Sequence, residues 1–285
     1  MRDVEGILEK EFSHGDWIVE KPTAGMAKEA YVATRGEVKV FIKFDADTPA
    51  LERLAELRIT PPLLRRGRHD GHPYTIQKYV EGVHPDWCWF TDHLSHLATL
   101  MRRYHTDAEL ARIICPGVHQ SYEQHVERTV ARLERELTQA RTMLSKMGEM
   151  EESLRRLRRK AEQLEPIDLV PVHLDPSDKN FLVAGHRIYL LDWDDIRLSD
   201  PLRDAGLLLW WYVPTARWRD FFHTYGCPLD AHMLARLYWW GAASCLGIAF
   251  WFDRTGDVAT VDDFIGDFNA ALDGKDNPRA PFGRM

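Results

Sequence analysis

The sequence predicts an α+β chain of two lobes, a small strand-rich lobe at 1–81 and a larger, mainly helical lobe at 82–285. Three observations carry that expectation. Apolar residues alternate through much of the first eighty positions, they recur by threes and fours from Asp92 onward, and Glu81-Gly82 separates the two patterns. A chain of 285 residues with 45% hydrophobic content can bury a core in each part.

Each element follows from local chemistry. The runs Glu29–Thr34 and Val38–Lys43 alternate around Arg35-Gly36-Glu37 and predict a hairpin. Thr48-Pro49 opens a short helix reaching Leu57, with Leu51, Leu54 and Leu57 on one face, and Pro61-Pro62 stops it. Leu63-Leu64 and Tyr74–Val80 read as strands separated by an Asp70-Gly71 turn. Asp92–His105 carries Leu94, Leu97, Leu100 and Met101 at helical spacing.

Residues 121–164 begin with a Ser121/Gln124 capping box and bear an apolar stripe through Val126, Val130, Leu133 and Leu137. The stripe slips at Met147–Met150, which predicts two antiparallel helices hinged near Gly148. Its near-heptad spacing leaves a dimeric coiled coil as the competing arrangement, so a monomer and a homodimer are both open. Pro171-Val172 reads as a loop, and Phe181–Val183 with Arg187–Leu191 as a hairpin across Gly185. In the helical remainder Trp210, Trp211, Trp239 and Trp240 read as core, whereas Trp87, Trp89 and Phe90 read as a loop outside it.

Composition narrows the function. A net charge of −7 argues against general nucleic-acid binding, which needs a basic footprint. Cys88, Cys115, Cys227 and Cys245 are far apart and show no zinc spacing, so reduced thiols in a cytoplasmic protein are expected. The first residues lack an apolar signal core, and the apolar run Tyr238–Phe252 falls short of the roughly 20 residues that span a bilayer. No membrane partner is expected.

The chemistry concentrates in His173-Leu174-Asp175-Pro176-Ser177-Asp178-Lys179-Asn180 and in Tyr189-Leu190-Leu191-Asp192 beyond it. Phosphoryl transfer needs one carboxylate to orient or deprotonate an acceptor hydroxyl, and hard oxygen ligands to hold magnesium against phosphates. Asp175, Asn180 and Asp192 suit those roles in that order.

Upstream, Lys43 closes a strand before the helix that contains Glu52. With these residues in this order, nearly the whole chain resembles the aminoglycoside phosphotransferase and choline kinase branch of the protein-kinase-like fold. The resemblance implies that Asp175 is the catalytic base and that Asn180 and Asp192 bind magnesium. It implies that Lys43 contacts the nucleotide phosphates while paired with Glu52, in preference to Glu56. It also implies a phosphate-covering loop at Thr23–Lys28, using amides near Gly25 and Ala27, and an adenine-binding hinge using the Lys78 carbonyl and the Val80 amide. ATP is the implied donor, with GTP open.

Asp194 and Asp195 fall on the implied acceptor side, His173 braces the loop, and Asp200 and Asp204 serve as anchor and cap. The implied activity is transfer of the γ-phosphate to a hydroxyl of a small-molecule acceptor, an aminoglycoside-like antibiotic or related amino sugar or amino alcohol being the nearest expectation. Choline- or ethanolamine-like amines, macrolides and metabolic sugars are the alternatives. Leu174 stands where protein kinases have Arg, which disfavours a protein acceptor. A reading of a different class is a catalytically inactive nucleotide-binding scaffold that presents the 121–164 hairpin to a partner.

Overall fold

The computed structural model describes residues 3–22, 29–46, 48–117, 120–143 and 146–280. Its amino-terminal part is a five-stranded antiparallel sheet ordered β1-β2-β3-β5-β4. Helix α1 (Val4–Phe12) leads into β1 (Ile18–Glu20), β2 (Ala30–Arg35) and β3 (Val38–Phe44). Helix α2 (Thr48–Glu56) intervenes before β4 (Leu63–His69) and β5 (His72–Lys78). The predicted hairpin is present in register, Tyr31 facing Ile42 and Ala33 facing Val40.

Helix α1 is an element the strand-rich expectation did not contain. Asp3 caps it by accepting from the Gly6 amide at 2.8 Å. Val4, Ile7 and Leu8 then share one face and seal the sheet core of Tyr31, Val40, Ile42, Phe44, Tyr74 and Ile76. Helix α2 belongs elsewhere: its Ala50, Leu51 and Leu54 join the large core of the carboxy-terminal part.

That part begins with α3 (Trp87–Asp92), α4 (Leu94–His105) and α5 (Ala108–Ile114). Trp87, Trp89 and Phe90 are therefore helical, and the expectation of a loop outside the core is corrected. The Asp86 carboxylate caps α3 through the Trp89 amide, and Phe90 is wholly buried against Phe181 and Tyr212.

Helices α6 (Tyr122–Thr138) and α7 (Met147–Ala161) form the expected antiparallel hairpin, and the Ser121/Gln124 capping box is made in both directions. The hinge is not at Gly148, which lies in the first turn of α7; the chain leaves α6 ten residues earlier. Asp253, from the long helix α10 described below, accepts from the amides of Arg141 and Thr142 at 2.9 and 2.7 Å. A carboxylate from a distant element thus satisfies two backbone amides in the turn that follows α6. The apolar stripe is buried within the chain, where Val126, Val130, Leu133, Leu137, Met150, Leu154 and Leu157 join the large core. The coiled-coil alternative needed that same stripe at a dimer seam.

After α7 come β6 (Val170–Val172), the 3-10 turn Asp178–Asn180, β7 (Phe181–Ala184), β8 (Arg187–Leu190) and β9 (Arg197–Ser199). Pro171-Val172 is strand rather than loop, because β6 pairs antiparallel with β9. The 3-10 turn Pro201–Arg203 precedes α8 (Ala205–Tyr212), α9 (Trp218–Tyr225), α10 (Ala231–Thr255) and α11 (Val258–Leu272). Trp210, Trp239 and Trp240 are buried as expected. Among the described residues no helix is long and apolar enough to cross a membrane.

Candidate active site

The loop between β6 and β7 is shaped by one buried carboxylate. Asp204, fully enclosed, accepts from the His173 amide at 2.6 Å, the Leu174 amide at 2.7 Å and the Tyr104 hydroxyl at 2.8 Å. His105 Nε2 lies 3.3 Å from the same carboxylate and donates to it, since an ionised carboxylate only accepts. Burial alone would raise the Asp204 pKa, but the His105 hydrogen bond and charge and the His173 amide hold it below the usual carboxylate range. Leu174 adopts φ +78°, a left-handed conformation that strains a branched residue. The bond from its amide to Asp204 holds that conformation and turns Asp175 outward.

His173 links the loop to the next strand pair. Its Nε2 lies 2.6 Å from the Leu191 carbonyl and therefore donates, while Nδ1 accepts from the Asp175 amide at 3.2 Å. This is the bracing role expected of it. Asp192, also at positive φ (+61°), follows Leu191 directly. The Leu191 amide donates to the Asn180 carbonyl at 2.8 Å, so the three candidate residues share one backbone frame.

Within the frame, Asn180 Nδ2 donates to the Asp175 backbone carbonyl and to Asp175 Oδ2, both at 2.8 Å. Those bonds fix the amide orientation and leave Asn180 Oδ1 as a free acceptor. Oδ1 and the Asp192 carboxylate are hard oxygen donors of the kind magnesium accepts. Among the described residues no cluster of three or more His, Cys, Asp or Glu is suited to a metal. Two protein ligands accord with an ion that takes its remaining oxygens from water and phosphate.

Lys43, at the end of β3, reaches across to this frame, its Nζ 2.5 Å from Asp192 Oδ1 and 2.9 Å from Asp194 Oδ2. Burial acts to raise the Asp192 pKa, and the Lys43 hydrogen bond and charge overcome that to lower it. The expected Lys43–Glu52 pair is not formed. Glu52 Oε2 instead lies 3.0 Å from Arg66 on β4, and Glu56 pairs with Arg53. Helix phase explains this: Leu51 and Leu54 point into the large core, and Arg53 forks onto Asp107, the cap of α5, at 3.1 and 2.7 Å. Glu52 is thereby turned toward β4.

Asp195 lies against Arg197 at 3.4 Å, so the two carboxylates after Asp192 have separate partners. The Asp178 amide lies 3.2 Å from the Tyr212 hydroxyl, which in turn donates to Asp178 Oδ1 at 3.3 Å.

At the hinge, the Lys78 amide donates to the Pro62 carbonyl and the Tyr79 amide to the Lys39 carbonyl. Alternation along an extended chain turns the Lys78 carbonyl and the Val80 amide to the same side, away from β3. Gly82 then passes so near β7 that a Cβ built on it would sit 2.6 Å from the Val183 carbonyl oxygen. The Val83 and Val183 backbones exchange bonds of 3.0 and 2.9 Å there. Gly25 and Ala27 lie outside the described residues.

Sequence reasoning missed the Lys43–Asp194 contact and the Tyr212–Asp178 clamp. Asp194 carries a sequence signal, being two residues from Asp192; Tyr212 carries none.

The arrangement resembles solved kinases along its length. The choline kinase LicA from Streptococcus pneumoniae shares 16% identity with a TM-score of 0.69, covering 95% of this chain and 99% of that one. Spectinomycin phosphotransferase APH(9)-Ia, solved with ADP and spectinomycin, shares 12% identity at 0.68, covering 95% and 96%. A choline/ethanolamine kinase family protein from Mesorhizobium loti shares 16% at 0.65, covering 90% and 91%. At such identities the likeness establishes the fold, a mixed α+β kinase-like one. Residues 11–238 match the profile of the phosphotransferase enzyme family, and the chain belongs to that family.

Proposed function

We propose that the protein transfers the γ-phosphate of ATP to a hydroxyl of a small acceptor, with the nucleotide seated between the parts at 1–81 and 82–285. The observation that carries this reading is the shared frame of Asp175, Asn180 and Asp192, with Lys43 brought to it from the sheet. The adenine edge would meet the Lys78 carbonyl and the Val80 amide, and Lys43 would hold the phosphates. Asp175, exposed at the loop crest, would orient the acceptor hydroxyl and take its proton. Magnesium bound by Asn180 Oδ1 and Asp192 would supply charge stabilisation at the phosphates.

For the acceptor, the reading favours a hydroxylated amine, an amino sugar or an amino alcohol. Asp195 is exposed and placed to meet a cation, while Asp194 serves Lys43. The test is incubation with ATP, magnesium and a panel of aminoglycosides, choline, ethanolamine, macrolides and simple sugars, read by mass spectrometry for an added phosphate. A phosphorylated amine is the expected result. Absence of any phosphorylated product, with ATP bound but not consumed, would instead support an inactive scaffold.

A further inference from the structure

Gln77, next to last in β5, is a buried polar side chain to which the transfer reaction assigns no role. Strand register sets it opposite Phe41 and sets Thr75 opposite Lys43. The alternate residues of the same two strands, Val40, Ile42, Phe44, Tyr74 and Ile76, turn toward α1 and fill the sheet core. Gln77 therefore shares with Lys43 the other face of the sheet, the one from which Lys43 reaches Asp192.

Its place along that face is fixed from both sides. Gln77 Nε2 lies 2.9 Å from the Pro61 carbonyl oxygen and 3.2 Å from Thr60 Oγ1. Thr60 and Pro61 follow Ile59, whose carbonyl accepts from the Leu190 amide of β8 at 2.8 Å, two residues before Asp192. On its other side Gln77 adjoins Lys78, the first residue of the hinge. The carboxamide thus stands at the inner end of the cleft, between the hinge and the frame that carries Asp192.

A carbonyl oxygen only accepts, so the bond to Pro61 settles which end of the carboxamide is nitrogen. Both of its N–H groups are then engaged, one by Pro61 and one by Thr60. Oε1 is the end left to offer. It accepts from none of the described residues and is not sealed off by them.

Purine chemistry gives that oxygen a use. An adenine whose N1 takes the Val80 amide gives one hydrogen of its exocyclic amine to the Lys78 carbonyl. The chain order Val80, Lys78, Gln77 then carries the second hydrogen, on the N7 side, toward Gln77. Guanine instead presents a carbonyl oxygen there, against two acceptors, and its N1–H meets the Val80 amide donor to donor.

We propose that Gln77 Oε1 accepts from the exocyclic amine of the base and makes this protein select adenine over guanine nucleotides. The inference rests on the nucleotide reading above and deepens it. Thr60 and Pro61 are positioning groups, which hold the carboxamide with its oxygen toward the base.

The test is calorimetric titration of ADP, GDP and N6-methyl-ADP, each with magnesium, into wild-type protein and Gln77→Met. Wild type should prefer ADP to GDP, and Gln77→Met should cut that ratio about tenfold, chiefly by weakening ADP. A Gln77 that only braced Thr60 and Pro61 would weaken both nucleotides alike and leave the ratio unchanged. N6-methyl-ADP probes the same contact without a mutation. Its methyl group replaces one of two N–H groups, each with an acceptor against it, so wild type should bind it at least about tenfold more weakly than ADP. If Gln77→Met does not fold, that arm carries the test. The proposal is overturned by an ADP-to-GDP ratio that Gln77→Met leaves within about twofold, by N6-methyl-ADP binding as tightly as ADP, or by a wild type that prefers GDP. Binding of neither ADP nor GDP would overturn the nucleotide reading itself, and this proposal with it.

Discussion

Replacing Asp204 by Asn should destabilise the protein by about 3 kcal/mol at pH 7, and the figure follows from which donors lose an acceptor. The carboxylate serves Leu174 through one oxygen, and His173, Tyr104 and His105 through the other. An asparagine amide can offer its oxygen to the second set but then points N–H groups at the Leu174 amide. That orphaned buried donor costs about 1–3 kcal/mol, and three remaining bonds lose charge assistance worth roughly 1 kcal/mol each. Relief of burying a charge offsets several kcal/mol of the sum, leaving about 3.

Urea unfolding followed by tryptophan fluorescence measures this, with an unchanged denaturant slope expected. The pH dependence gives a second check. The folded pKa of Asp204 lies below its unfolded value, so its contribution is complete above about pH 4 and is lost as pH falls through the folded pKa. The deficit of Asp204→Asn should therefore shrink below about pH 4. Turnover should also drop, because Leu174 loses the bond that holds φ at +78° and aims Asp175. A midpoint within about 0.5 kcal/mol of wild type, or a deficit constant down to pH 3, would refute the assignment of Asp204 as the loop's organising charge.

Asp175→Asn keeps an oxygen to accept from Asn180, so nucleotide affinity by calorimetry should hold while kcat falls by about 10³; near-normal turnover would remove Asp175 from the chemistry. Gly82→Ala forces a methyl group against the Val183 carbonyl, so the hinge must shift and nucleotide affinity should weaken about tenfold, whereas unchanged affinity would mean that the hinge does not seat the base. Glu52→Gln breaks only a half-exposed pair with Arg66 and should leave kcat/KM within about threefold, while Asp194→Asn, which strips Lys43 of a partner, should lower it about tenfold or more. The reverse ranking would restore Glu52 as the partner of Lys43 during turnover.

What the sequence disclosed and what it withheld divide along one physical line. The β2–β3 and β7–β8 hairpins are set by residues close in sequence, where alternation and turn chemistry act directly, and the motif from His173 to Asn180 is contiguous although Asp204 shapes its backbone from outside it. The end of α6 is set by Asp253, more than a hundred residues away, so periodicity alone placed the hinge too late. The phosphotransferase family was legible for the same local reason, since the Asp175–Asp192 module is nearly contiguous.

The pairing of Lys43 is the instructive failure. Spacing places Glu52 close enough in sequence to be its partner, but which side of α2 faces Lys43 depends on how the helix is anchored, and the fork of Arg53 onto Asp107 fixes that. Asp194 prevails because the strained backbone at Asp192 carries both carboxylates toward the end of β3. The same tertiary frame hides Tyr212, whose hydroxyl meets Asp178 only because α8 packs beside the loop and Phe90 stacks on its ring at 4.7 Å. Motifs therefore named the groups proposed to perform the chemistry, whereas the groups that position them, Asp204, Asp194 and Tyr212, acquire their contacts only from packing between distant elements.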